Sequence, residues 1–192
     1  ERRAEGTPEV KNHFAAVLRQ VDALKVYLEQ LLLYGRPMAP RPIAADVGSI
    51  ARGEVQTLQR SWKAGAPPPV VAVDVADDLG AVHWDPRLVG HALRALIDNA
   101  VRSADPQPEV AVRAAARGDR VVVEVADRGP GIAPETLAQL ACPMRVRRHG
   151  SLGLGLAIAR KVAAAHGGEL ELVTGAGGTT VRLDLPRVAA AD

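Results

Sequence analysis

Residues 120–132 read RVVVEVADRGPGI. Valines alternate with other side chains from Arg120 to Ala126, the period of a half-buried strand. The strand runs straight into Asp127, followed by two glycines one residue apart, Gly129 and Gly131. A carboxylate at a strand end can accept a hydrogen bond from an exocyclic amine such as that of adenine. The glycines let the backbone turn sharply and approach a flat ligand. Taken alone, the same residues also describe a plain β-turn.

Upstream lies Leu96-Ile97-Asp98-Asn99-Ala100, near the end of a helix that Asp85-Pro86 opens and that runs to about Ser103. Asp85 is the expected N-cap and Pro86 the first helical residue. Leu93, Leu96, Ile97 and Ala100 form the buried stripe, which leaves Asn99 at the core edge. An amide oxygen there suits Mg²⁺ held mostly by phosphates. A solvent-facing Asn is the plainer alternative. Downstream, Gly150-Ser151-Leu152-Gly153-Leu154-Gly155-Leu156 leads into a helix from about Leu152 to His166, ended by Gly167-Gly168. Glycines before a helix start expose backbone N–H groups to phosphates, although a glycine-rich turn by itself is a weak signal. Arg145, Arg147 and Arg148 are placed either to reach a triphosphate or to form a solvated loop.

Further strands are expected at Val70–Val75 and Glu109–Ala115, with a turn at Gly118-Asp119 before residue 120. A closing hairpin pairs Glu169–Val173 with Thr179–Leu185. Together these predict an α/β sandwich, one mixed sheet with helices on one face. The N-terminal part reads differently. A helix from about Pro8 to Tyr34 carries Phe14, Val17, Val21, Leu24, Leu28 and Leu31 in steps of three and four, a heptad seam that Leu18 and Leu32 widen. Gly35 and Pro37 end it. A second helix is expected at about Ala45–Trp62, with Val47, Ile50, Val55 and Leu58 on its apolar face. GAPPP at 65–69 reads as a linker. The predicted division is 1–64, an antiparallel helical hairpin that pairs within the chain or as a dimeric four-helix bundle, and 70–192, the sandwich.

The length fits one ordinary domain or two small ones. Of 192 residues, 47% are hydrophobic and 24% charged, which excludes a mainly disordered chain, and 3% aromatics make the core aliphatic. A net charge of +2 argues against nucleic acid as a partner. Cys142 stands alone, so no intramolecular disulfide forms, and a reducing, cytoplasmic setting is expected. The five histidines are scattered without metal-ligand spacing, and no apolar run is long enough to span a membrane. The chain opens on Glu1 rather than Met, which suggests a fragment. Any membrane attachment is expected only through an upstream region.

The order and spacing of the three motifs resemble the Bergerat ATP-binding fold of two-component sensor histidine kinases, shared with DNA gyrase, heat-shock-type chaperones and mismatch-repair ATPases. By that resemblance Leu96–Ala100 is the N box, with Asn99 the Mg²⁺ ligand and Arg102 near phosphate. Asp127, Gly129, Gly131 and Ile132 shape the adenine end. Ser151, Gly153, Leu154 and Gly155 cradle the phosphates, with an ATP lid between the two glycine boxes. The cofactors implied are ATP and Mg²⁺. The partners implied are a second copy through the helical hairpin and a response-regulator receiver domain. Tyr34-Gly35-Arg36-Pro37 is similar to the nitrogen-regulation type of sensor kinase.

The chain departs from that pattern in the first helix. Where the family carries its phosphorylated histidine, this chain reads Pro8-Glu9-Val10-Lys11-Asn12-His13. Pro8 has no nucleophile. Glu9 and Asn12 match the acid that assists phosphorylation and the amide that orients water for dephosphorylation. His13 lies four residues after Glu9, on the same helix face. It is either an unusual acceptor or a surface histidine. Ala95 replaces a polar N-box residue, Ala141-Cys142-Pro143-Met144 replaces phenylalanines before the lid, and Ser151 stands where a glycine is usual. Three readings stay open: an active histidine kinase; a pseudokinase or phosphatase-biased module that binds ATP; and, less favoured because Ala95 is no general base, another Bergerat ATPase.

Overall fold

The computed structural model describes residues 8–62, 68–103, 109–133 and 154–188. Helix α1 spans Pro8–Gly35. It is followed by β1 (Ile43–Ala45), α2 (Val47–Arg60), β2 (Val70–Val75), β3 (Val82–Trp84), α3 (Pro86–Ser103), β4 (Glu109–Arg117), β5 (Arg120–Asp127), α4 (Leu154–Ala165), β6 (Glu169–Gly175) and β7 (Gly178–Pro186).

Five strands form one mixed sheet in the order β2-β4-β5-β7-β6. Strands β2 and β4 run parallel, joined through β3 and α3, and every other neighbour is antiparallel. Alternation decides the two faces. Val110, Val112 and Ala114, Val121, Val123 and Val125, and Val181, Leu183 and Leu185 are buried under the helices. The α3 stripe of Leu93, Leu96, Ile97 and Ala100 lies in the same core. The opposite face carries a row of alternating charge across all five strands, Asp74, Arg113, Glu124, Arg182 and Glu171, in register. Arg182 bridges Glu124 at 2.6 Å and Glu171 at 3.2 Å. Opposite charges directly across strands favour this pairing.

Two short strands escaped the sequence pattern. β1 pairs antiparallel with β3, Ile43 opposite Trp84 and Ala45 opposite Val82. Three residues are too few for a period to show. The pairing has a large consequence for the organisation of the chain. Helix α2, expected as the second arm of a hairpin with α1, instead lays Val47, Ala51, Val55 and Leu58 on α3 and β2. Asp46 caps it, its carboxylate accepting from Ser49 N at 2.6 Å. Elements on both sides of the 65–69 stretch therefore share one core. Val47, Val55 and Leu58 face the core as the pattern expects, whereas Ile50 is only partly buried and Ala51 takes a core position; an apolar stripe does not say which surface covers it. The seam of α1 remains exposed. Phe14 is 65% and Leu31 39% exposed, and Val17, Val21, Leu24 and Leu28 fall between.

Asp85 shows how the helical layer is pinned. Its side chain is almost wholly buried. Oδ1 accepts from the N–H groups of Arg87 and Leu88, the N-cap expected from the sequence, and Oδ2 accepts from Arg41 N at 3.0 Å. Burial alone would raise this carboxyl; the three amides and the Arg87 guanidinium outweigh it and hold it below the ordinary aspartate range. A depressed folded value means that Asp85 contributes stability above the pH where the unfolded aspartate titrates. That contribution is lost as pH falls through the lower, folded value. Asp85→Asn is therefore expected to flatten the acid limb of the stability curve below about pH 4, read as urea midpoints from pH 6 to pH 3. An unchanged slope in the variant sinks this assignment.

Candidate functional site

The site starts at the end of β5. Asp127 is 7% exposed, opposite Val110 on β4 and Thr179 on β7. Its Oδ1 accepts from Gly129 N at 2.8 Å and from Thr179 N at 3.3 Å. Among the described residues nothing hydrogen-bonds to Oδ2, and no polar side-chain atom is both fully buried and unpartnered. Oδ2 is thus a fixed, accessible acceptor at a strand end, held in place through its sister oxygen.

The glycines around it leave no room for side chains. A Cβ on Gly129 would stand 2.9 Å from Asp127 Oδ1 and from the Ser103 carbonyl oxygen. Gly131 has φ +76°, and a Cβ there would meet the Gly175 carbonyl oxygen at 2.1 Å. The next residue is stitched to the β6–β7 hairpin, with Ile132 N donating to Thr174 Oγ1 at 2.8 Å and Thr174 Oγ1 lying 3.0 Å from Thr179 Oγ1. Thr174 and Thr179 were missed in the sequence. The signal available was the pair of hydroxyl residues flanking the glycine-rich turn of a closing hairpin, which only the β5–β7 register brings opposite Asp127.

Helix α3 arranges the rest. Its last residue, Ser103, adjoins Gly129 through its carbonyl oxygen. One turn earlier is Asn99, half-buried, whose side-chain amide makes no hydrogen bond among the described residues, while its main-chain oxygen accepts from Ser103 Oγ at 2.9 Å. Another turn earlier is Ala95, against which Gly155 packs so closely that a Cβ would touch Ala95 Cβ at 3.4 Å. Leu154 is buried beside it. From Ser103 to Ala95 is about 12 Å along the axis, comparable to a nucleoside triphosphate from its base to its terminal phosphate. The three sequence motifs thus meet along one helix edge.

Some expected residues are placed otherwise. Arg102 Nε donates to Asp98 Oδ2 at 2.9 Å, an exposed pair four residues apart, so its guanidinium is engaged on the helix surface. Ser151 and Gly153 lie outside the described residues, as do Arg145, Arg147, Arg148, Cys142 and the lid. Glu9 and Asn12 lie on α1, but their side chains are also outside the described set. His13 is exposed on α1. Among the described residues no three His, Cys, Asp or Glu side chains gather as a metal cluster, and no helix is long and apolar enough to cross a membrane.

Residues 84–189 match the family described as histidine kinase-, DNA gyrase B- and HSP90-like ATPase. The chain belongs to this ATPase family. Among relatives of known function it is 42% identical over 123 residues to the sensor histidine kinase MtrB of Mycobacterium tuberculosis, covering 60% of this chain and 22% of that protein. It is 28% identical over 163 residues to the nitrogen regulation protein NtrY of Azorhizobium caulinodans, covering 81% of this chain and 20% of that protein. Full-length ShkA in complex with AMPPNP superposes with a TM-score of 0.77 at 26% identity, over 97% of this chain and 40% of that one. The chain spans about a fifth or less of the first several curated relatives it matches. These similarities mark the ATPase core of sensor histidine kinases. The groups present suit a nucleotide such as the AMPPNP held by ShkA: an accessible carboxylate oxygen at Asp127 can accept from an amine, the amide of Asn99 is unengaged among the described residues, and the glycines leave room for a flat base.

Proposed function

We propose that this chain is the ATP-binding signalling core of a two-component sensor histidine kinase, which moves the γ-phosphoryl group of ATP to histidine and on to a response-regulator aspartate. The observation that carries this reading is the alignment of Gly129, Asn99 and Gly155 along one edge of α3, with Asp127 Oδ2 free to accept at one end. In this reading Asp127 takes the adenine amine, Gly129, Gly131 and Ile132 border the base, and the backbone of Ser151, Gly153, Leu154 and Gly155 holds the phosphates at the start of α4. Asn99 contributes one oxygen to Mg²⁺, which when bound neutralises phosphate charge. Arg102 reaches phosphate only by leaving Asp98, an exposed pair worth little. The chemistry asked of the protein is positioning and charge stabilisation. The bond from γ-phosphorus to the bridging oxygen breaks, a P–N bond forms, ADP leaves, and a base such as the Glu9 carboxylate takes the imidazole proton.

The exposed seam of α1 suits a second copy of the chain, the homodimer expected of such kinases, with a receiver domain as the downstream partner. Because α2 is committed to the sheet, we draw the division into units at the 36–42 connector, leaving α1 as the phosphotransfer-type helix. The second reading is a module that binds ATP without autophosphorylating and uses Glu9 and Asn12 in dephosphorylation. Pro8, which carries no nucleophile, and Ala95, which packs an inert methyl on Gly155, favour it.

Incubation with γ-³²P-ATP and Mg²⁺ separates the two. Acid-labile, base-stable label that is lost in His13→Ala is the result expected of the kinase with His13 as acceptor. Label that persists in that variant rejects His13. Absence of any label with nucleotide binding intact rejects the kinase reading in favour of the second.

A further inference from the structure

The last turn of α1 carries no basic residue of its own, although a helix C-terminus presents unsatisfied carbonyls and partial negative charge. The missing cation comes from another helix. Lys161, on α4, donates to the carbonyl oxygens of Tyr34 at 2.5 Å and of Arg36 at 2.6 Å, and its ammonium stands 5.4 Å from the centre of the Tyr34 ring. Leu33, Tyr34 and Met38 pack on the core at the same place. Five residues further along the chain, Arg41 N is held by Asp85 Oδ2. Asp85 N donates in turn to Nε2 of the buried His166, just past the end of α4. That ring must then carry its proton on Nδ1, which faces the Val162 carbonyl oxygen at 2.8 Å. The proline-rich connector after α1 is thus anchored at both ends, at 34–36 and at 41, to α4 and its C-terminal boundary.

We propose that Lys161 is a positioning residue, the closing contact of a latch that holds α1 in one orientation and keeps its N-terminal half away from the nucleotide site of its own chain. His13 lies about 32 Å along α1 from Tyr34, and Lys161 lies about 10 Å along α4 from Leu154. With Lys161 on Tyr34, the Cα of His13 can come no nearer than about 10 Å to that of Leu154 at any crossing angle, and that only with α1 laid along α4. Phosphoryl transfer to the first turns of α1 in any other orientation needs the latch to open, or a helix from a second copy. Lys161 is suited to a releasable contact, since its bond to Tyr34 is part-buried, its bond to Arg36 is exposed, and it makes no ion pair among the described residues. The orientation claim rests on the contacts alone. Its consequence for transfer rests on the kinase reading above.

The test uses spin labels at Gln20→Cys and Arg117→Cys in a Cys142→Ser background, with labelled protein diluted in excess unlabelled chain so that distances within one chain are read. The expected result is a single narrow distance in the parent, a distribution at least twice as broad in Lys161→Met, and recovery of the narrow distance in Lys161→Arg. The AMPPNP dissociation constant is expected to stay within twofold across the three. Tyr34→Leu, which keeps an apolar side chain but removes the ring, is expected to broaden the distance less than Lys161→Met does. An unchanged narrow distance in Lys161→Met overturns the latch, as does failure of Lys161→Arg to restore it. In the labelling assay, faster ³²P incorporation in Lys161→Met supports the consequence for transfer. A broadened distance with no label in either protein leaves the latch standing and removes the kinase reading.

Discussion

Asp127→Asn is expected to weaken ATP binding by about 2–3 kcal/mol, roughly 30- to 150-fold, with little change in the fold. An asparagine keeps an oxygen for the Gly129 and Thr179 amides that now bind Oδ1. It puts an N–H₂ group where Oδ2 stands, so that a donor faces the donor of the adenine amine. In the proposed reading the interaction lost is a charge-assisted hydrogen bond at a site only 7% exposed, where water replaces it poorly. Calorimetric titration with AMPPNP, alongside a urea unfolding curve, reads both halves. An affinity within threefold of the parent, with the fold intact, removes Asp127 from the base-recognition role.

Gly131→Ala is expected to cost more than about 3 kcal/mol of stability. Two effects act together. At φ +76° any L side chain is strained, and the new Cβ would stand 2.1 Å from the Gly175 carbonyl oxygen, a backbone atom that no rotamer change can move. Relief requires the glycine box and the β6–β7 turn to separate, which breaks the Ile132 to Thr174 hydrogen bond. Gly177→Ala is the matched control, because nothing stands within 4 Å of a Cβ there. Its urea midpoint is expected to stay close to the parent's. If the two variants unfold alike, the close approach at Gly131 does not constrain the site.

The elements of the sheet and its helical layer were legible because each writes a local period. The alternating valines of β5 face the core at Val121, Val123 and Val125, and Leu93, Leu96, Ile97 and Ala100 form the buried stripe of α3 as the pattern required. The cap at Asp85 and the stop at Gly167-Gly168 were equally local, since turn and cap preferences act over a few residues. Strand ends were misjudged by up to two residues, as at β4, which runs on to Arg117 rather than stopping at Ala115. Frayed termini carry no pattern of their own.

What the chain by itself determined, then, is which residues lie on the apolar face of each long element and where glycine and proline interrupt it, together with three motifs whose order is that of a nucleotide-binding ATPase. Which face meets which was decided only in three dimensions. The apolar stripe of α2 is satisfied by α3 and β2 rather than by α1, because burial rewards any complementary surface and has no preference for the neighbouring helix. β1 and β3 exist because distant backbone completes their hydrogen bonds, each strand serving the other and Arg187 O also accepting from His83 N. Thr179 reaches Asp127, and Lys161 reaches the end of α1, across 52 and 127 residues respectively. Contacts of that range leave no trace in sequence spacing; they arise from strand register and from two helix ends brought together by the packing of a shared core.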